Sequence, residues 1–395
     1  MKLRRTRQAV AATAVVAAAV VGLNVPGGVA ATTCTMTVSK SAVVTRTYAT
    51  GVTWREYRVR VTRGSSTQTA LVQLTTMPTG AKPRLMYKRL GWVDEIRDQV
   101  KAQFPRAVAA VNGGFFYEYR FATGGSAILP RDGSVASGQI LRAGATTTSV
   151  VGVDTAGRPY VGSLGVSGKV TSKVGSYTLT GVNWHSIGDR GVVLYTPTWA
   201  DSGARRPAGS VEWVLRADNT IAEVRIGATR GAPVAANTRV VAFGTRWADT
   251  ARKARPGDSV SAAFKQVTST GVTLAEAVGR GRQLVSGGTV ALDCAVHSTE
   301  PRPRTTVGWT SKGRWMTLIV PGSGYDSSGY RIGGLSITAE ANVAKALGFS
   351  SAVEVDGGGS VTSYLRTNSG VWDRVDDADS QWQRPVPNGL AFVVR

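Results

Sequence analysis

The stretch "GLSITAEANVAKALGFSSAVEVDGGGS", residues 334–360, carries the order of elements on which the fold reading turns. Within it, "TAEANVAKAL" (338–347) predicts a short helix. Thr338 stands as its N-cap, Gly348 as its terminator, and Ala339, Val343 and Leu347 fall on one face. "SAVEV" (351–355) then predicts a buried strand that runs into Asp356, Gly357, Gly358, Gly359 and Ser360. With Val353 and Val355 turned to a core, the period of two puts Glu354 and Asp356 together on the opposite face. No Lys-Ser/Thr follows these glycines and no GxGxxG opens a βαβ unit, so nucleotide loops are set aside.

The same form recurs upstream. "AVAAVNGGFF" (107–116) reads as a buried strand running into Asn112, Gly113 and Gly114. Consecutive glycines expose backbone N–H groups and tolerate positive φ, so both turns are candidate anion-holding nests. The alternative is a pair of tight turns with Asx capping. Around them, "TWREYRVRVT" and "TALVQLTTM" predict early strands, and 94–104 predicts a helix with Ile96, Val100 and Phe104 on one face. Residues 145–270 are rich in Val, Thr and Gly and give a run of short strands; "MTLIV" (316–320) and "PNGLAFVV" add two more. Many strands and two or three short helices define an α+β chain.

Residues 1–30 have a basic start (Lys2, Arg4, Arg5, Arg7), an apolar run from Ala9 to Val21 and a small-residue end at Ala30, the pattern of a secretory signal peptide. Residues 31–49 then form an N-terminal extension and 50–395 the main domain. The expected location is extracellular, with no transmembrane segment. The 395 residues carry a formal charge of +22, and +18 without the four basic residues of the leader. Such a surface attracts polyanions. No helix-turn-helix, zinc-finger or RNA-binding signature is present, so no specific nucleic-acid partner is expected. Two cysteines exclude a disulfide-scaffold fold and a four-cysteine zinc site. In an exported chain they are expected to pair as Cys34–Cys294, a closure that the chain-entropy model credits with roughly 5–6 kcal/mol. No cofactor and no catalytic metal are expected; Asp376, Asp377 and Asp379 leave a weak structural calcium open. A homodimer is also left open.

"NGGFF" (112–116), "GGSAI" (124–128), "GRGRQLVSGG" (279–288), "PRTTVGWT" (303–310), the 334–360 stretch and "PNGL" (387–390) occur in that order. The series, spanning roughly 50–393, resembles the phosphodiester glycosidase family. The resemblance implies a single strand-rich catalytic domain with a β-rich middle insertion at 145–270. It also implies cleavage between a sugar's anomeric carbon and a phosphodiester oxygen. Carried over residue by residue, it points to Asn112, Gly113 and Gly114; to Gly124, Gly125 and Ser126; to Arg304 and Thr305; to Glu340; and to Asp356 through Ser360. Two positions depart from the family's usual pattern: Arg302 stands where relatives commonly have His, and Glu354 where they commonly have Asn.

The chemistry suits these residue types. A phosphodiester leaving group is a stabilised anion that guanidinium and backbone N–H donors can hold. A carboxylate beside the sugar assists an oxocarbenium-like transition state. Asp356 is the first expected catalytic carboxylate, Glu340 the second and Glu354 the third, with Arg304 expected on phosphate. Asn183 and Trp184, in "TGVNWHS", are candidates for a sugar-binding edge, since an aromatic face suits a sugar ring; a packed core tryptophan is the alternative. The competing function is a non-catalytic cell-wall or polysaccharide-binding protein on the same fold. A secreted nuclease fits less well, because two-metal catalysis wants clustered Asp and His.

Overall fold

Antiparallel strands Thr37–Thr47, Thr53–Arg63 and Ser66–Thr76 open an eight-stranded sheet that continues through Trp315–Val320, Arg304–Trp309, Ser351–Glu354, Gln283–Ser286 and Thr289–Val290. Three of these eight strands come from beyond residue 300 and two more, Ser66–Thr76 and Gln283–Ser286, pair directly with them, so the N- and C-terminal parts of the chain build one sheet. These elements belong to a computed structural model, which describes residues 34–394 apart from 121–125, 200–205, 228–233, 295–299, 323, 326–330, 333 and 377–382. The expected leader, Gly125 and its neighbour Gly124, Asp377, Asp379 and His297 lie outside the described residues.

A second, five-stranded antiparallel sheet orders Trp372–Arg374, Ser363–Arg366, Ala109–Asn112, Gly389–Val393 and Lys82–Met86. The two sheets share a core. Val307, Trp315, Ile319, Val353 and Val355 from the first meet Ala109, Val111, Leu365, Leu390 and Phe392 from the second. Each such Val or Leu contributes about 1.5–3 kcal/mol by leaving water. The period-two reading of 351–355 therefore holds: Val353 and Val355 face this core, and Glu354 turns away from it.

Helices cover the outer faces. Helix α1 (Ile96–Gln103) lays Ile96 and Val100 on Ala110, Tyr364 and Ala391 of the five-stranded sheet. The four-residue α2 (Ala248–Ala251) lies apart from these layers. Helix α3 (Ile337–Ala346) packs Ile337, Ala341, Val343 and Ala344 against Val72, Leu318 and Ala352 of the eight-stranded sheet. It is capped by Ser336, whose hydroxyl accepts the Ala339 N–H at 3.3 Å, and not by Thr338. Ser336 has the extended backbone of a cap, whereas Thr338 already lies in the first turn. At the other end Gly348 takes φ 94°, and the Gly348 and Phe349 N–H groups donate to the Lys345 and Ala344 carbonyls, a Schellman ending.

The middle of the chain forms a twelve-stranded sheet, antiparallel except where Gly181–Val182 runs parallel to Val192–Tyr195. It is not walled off: Val151, Val153 and Val278 enter the core between the other two sheets. The chain from residue 34 on is thus one strand-dominated α+β unit. A Cys34–Cys294 disulfide, with Cα atoms 4.5 Å apart, ties its first residue to one 260 positions later. Asn342 of α3 reinforces that end by donating to the Cys34 carbonyl at 2.8 Å and accepting the Met36 N–H at 2.9 Å. Among the described residues, no helix is long and apolar enough to cross a membrane.

Candidate active site

The ends of strands from all three sheets converge around Asn112. Its Nδ2 donates to the Asp356 carbonyl at 2.7 Å, while its Oδ1 accepts from Thr305 Oγ1 at 2.8 Å and from the Thr362 N–H at 3.2 Å. Wholly buried and fully engaged, Asn112 joins the two glycine turns to the Arg304–Trp309 strand. This places Asn112 and Thr305 in the framework of the site, not on a substrate-facing surface.

The glycines are needed for close approach. A β-carbon on Gly113 would stand 2.0 Å from Asn388 Oδ1, one on Gly114 2.4 Å from the Gly279 carbonyl oxygen, and one on Gly357 2.7 Å from the Pro303 carbonyl oxygen. Their N–H groups are already committed. Gly113 and Gly114 donate to the backbone and side-chain oxygens of Asn388, Gly357 to Asp356 Oδ1 at 2.9 Å, and Gly358 to the Pro303 carbonyl at 2.9 Å. The expected anion nest at Gly113–Gly114 is therefore corrected to a docking joint, for which backbone had to meet backbone. Only Gly358, at φ 60°, uses glycine's left-handed freedom; Gly358 and Gly359 are exposed.

Arg304 also departs from its expected place on phosphate. Its side chain is 5% exposed and its Nη1 pairs with Glu354 Oε1 at 2.6 Å. Its Nε donates to the Leu335 carbonyl at 2.7 Å and lies 3.6 Å from Glu340 Oε2. Thr306 donates to the other oxygen of Glu340. Strand alternation explains the grouping, because Arg304, Thr306 and Glu354 point from neighbouring strands to the face that α3 covers. Burial raises both carboxyl groups, Glu340 to about 8, while Arg304 opposes the shift. Two buried carboxyls around one guanidinium form a charge-paired anchor whose carboxyl protons are held more tightly than on free glutamates.

Asp356 is different. It follows the Ser351–Glu354 strand, half-buried, its backbone N–H held by the Gly113 carbonyl at 3.0 Å. Burial raises its pKa; Ser360, the Gly357 N–H, Arg384 and Arg131 pull the other way. Those two arginines rest on the phenylalanines of "NGGFF": Arg131 Cζ is 4.7 Å from the Phe115 ring centre and Arg384 Cζ 5.5 Å from that of Phe116. Arg131 is further fixed by Asp132 at 2.8 Å and by the Arg280 carbonyl at 3.1 Å. Arg384 is exposed, and its Cδ passes 4.0 Å from the β-position of Gly359. Glu354 Oε2 reaches the same neighbourhood, against Gly281 and Phe115. Arg131 and Arg384 escape a sequence reading because nothing distinguishes them among 47 basic residues; the phenylalanines under them are the one local sign.

Other expected residues lie elsewhere. Ser126 donates to Glu118 Oε1 at 2.8 Å on a two-stranded hairpin. Asn183 is buried, and its amide is spent on the Leu141 carbonyl and on Thr196. Asp376 is taken by Arg374 at 2.8 Å, and no cluster of three metal-binding side chains occurs among the described residues.

Asp356 thus sits on a glycine-packed joint of three sheets, with Arg131 and Arg384 in its electrostatic surroundings. Residues 211–393 match the model of the phosphodiester glycosidase family, so the resemblance stands at family level over that segment. The segment includes Arg304, Glu340, Glu354, Asp356 and Asn388; "NGGFF" and "GGSAI" precede it. No curated protein matches the chain. The fold recurs in the crystal structure of a hypothetical protein from Synechocystis (17% identity, TM-score 0.66, 91% of this chain and 68% of that one). It recurs too in a protein named as exported from Burkholderia pseudomallei K96243 (16% identity, TM-score 0.65, 91% and 97%). The zebrafish N-acetylglucosamine-1-phosphodiester alpha-N-acetylglucosaminidase catalytic domain aligns at 12% identity and TM-score 0.46, over 91% of this chain and 89% of its own.

Proposed function

We propose that the protein is an exported hydrolase of sugar-1-phosphodiester bonds in an exported polysaccharide, cell-wall polymer or related glycoconjugate. The observation that carries this reading is Asp356 at the end of the Ser351–Glu354 strand, set on the glycine joint by the Gly113 carbonyl and near enough to Arg131 and Arg384 for their charge to favour its ionised form. In the proposed reaction the phosphate oxygens lie against the two guanidinium groups, which neutralise charge as it builds on the leaving oxygen. Asp356 stabilises the positive charge that grows at the anomeric carbon and takes a proton from the attacking water. Water's oxygen bonds to that carbon, the C–O bond breaks, and its electron pair leaves with the phosphate as a monoester. Because the leaving group is already a stabilised anion, no strong acid is needed opposite Asp356. Arg304, Glu340 and Glu354 act as positioning residues that hold the strand end in register. Residues 1–30 serve as an export signal in this reading, and the Cys34–Cys294 bridge suits an oxidising compartment.

The test is release of reducing sugar from a panel of α- and β-linked sugar-1-phosphodiesters by wild type and by Asp356→Asn. Wild type should turn over at least one, and the variant, folded by circular dichroism, should lose about 100-fold or more in kcat. Equal rates would remove Asp356 from the chemistry. Wild type inert on every substrate but retaining polymer binding would favour a non-catalytic binding protein.

A further inference from the structure

A cavity of about 600 Å³ opens between the Phe116–Arg120 strand and turns at 185–189, 207–210 and 243–245. One wall is aromatic. Tyr119 and His185 stack with ring centres 4.2 Å apart and planes 30° apart, and Trp184 backs His185 at 4.7 Å. The wall is built into the fold. Asn183, at φ 48°, turns the chain so that Trp184 seats over Gly144 and Gly181, where β-carbons would come within 2.9 and 2.6 Å of the indole side chain.

Beneath the stack lies Arg142, wholly buried, with Cζ 4.5 Å from the Trp184 ring centre and 5.4 Å from that of Tyr119. Its Nη1 donates to the Asn183 carbonyl at 3.1 Å and its Nη2 lies 2.7 Å from His185 Nδ1. A guanidinium only donates, so His185 Nδ1 must accept and the imidazole proton must sit on Nε2. Burial and the cation together lower the His185 pKa to about 4, which keeps the ring neutral. The cavity thus presents an aromatic face and a neutral, orientation-fixed N–H donor, and its lining also holds Asp189, Phe243 and the glycine turns at Gly209 and Gly244.

We propose that this cavity is a second, non-catalytic binding site that takes a saccharide ring, stacked on Tyr119 and hydrogen-bonded by His185 Nε2–H. A pyranose has an apolar C–H face and a polar rim, which matches an aromatic wall in a cavity otherwise lined largely by polar and glycine turns. The proposal stands on the cavity alone and does not depend on the role of Asp356.

The experiment titrates mature protein labelled with 15N-histidine, in separate runs, with maltotetraose, chitotetraose and adenosine, reading the imidazole nitrogens and tryptophan fluorescence. With only two histidines in the chain, the His185 signals are assignable by a His297→Asn control. The free protein should show an unprotonated Nδ1 at neutral pH. At least one oligosaccharide at millimolar concentration should shift Nε2. Tyr119→Ala should weaken that binding about tenfold, and Tyr119→Phe should retain it. No shift with either oligosaccharide, a shift with adenosine only, protonated Nδ1, or unchanged affinity in folded Tyr119→Ala would each overturn the proposal. Should Tyr119→Ala fail to fold, the wild-type shifts decide alone.

Discussion

A half-buried carboxylate with cations in its surroundings feels two opposed influences: burial makes it more basic, and hydrogen bonds and cations keep it charged. Asp356 stands between them, while Glu340 and Glu354 are drawn into the buried Arg304 cluster. The arginines on the Asp356 side should therefore touch phosphate. Arg384 is the exposed one, and Arg384→Ala should raise KM for a sugar phosphodiester about tenfold with a smaller effect on kcat, measured by steady-state kinetics. Glu340 gives a pH signature instead. Its proton is bound more tightly folded than unfolded, between the ordinary glutamate value of 4.5 and about 8. Stability should consequently fall as pH rises through that window, because the folded chain must ionise a buried group that the unfolded chain ionises freely. Glu340→Gln should flatten the slope in urea titrations from pH 4.5 to 8; an unchanged slope would assign it to other groups. At this scale the sequence exposed Asp356, because a carboxylate before three glycines is conspicuous. It hid where the arginines go: Arg304 lies in a motif and is buried in the Glu340–Glu354 cluster, whereas Arg131 and Arg384 lie in no motif yet bear on the charge of Asp356.

At the scale of elements, local rules read well wherever the deciding contacts are local. The helix over 338–347, its Gly348 ending and the inward Val353 and Val355 all follow from spacing and turn chemistry. The cap was misplaced by two residues because Ser336 and Thr338 are both good caps, and tertiary contact chose between them. Ser336 also meets Gln68 of the eight-stranded sheet, whose Nε2 donates to its hydroxyl at 3.0 Å. Ser336→Ala should cost about 1–2 kcal/mol in urea unfolding. Thr338→Ala should cost clearly less, and the reverse order would restore Thr338 as the cap. The glycine turns were legible as special but not as joints. Nothing in "NGG" announces that Asn388, some 275 positions on, will fill the space a β-carbon would need.

For the whole molecule, strand content was readable and sheet membership was not. Residues 37–76 and 304–354 share one sheet across more than 200 positions, an arrangement no periodicity encodes. The 145–270 region read as an insertion, yet its Val151 and Val153 help fill the central core, since the twelve-stranded sheet packs into the same joint that holds Asp356. Of the surplus positive charge, diffuse in the sequence, Arg131 and Arg384 are placed where they favour the ionised form of Asp356. What the assembled molecule is claimed to do is break the bond on the sugar side of a phosphodiester. The direct measurement is hydrolysis of a sugar-1-phosphodiester in 18O-enriched water, followed by mass spectrometry of the sugar and 31P NMR of the phosphomonoester. The account predicts 18O on the anomeric carbon and an unshifted phosphorus signal. Isotope-shifted phosphorus with unlabelled sugar would mean attack at phosphorus, and would contradict it.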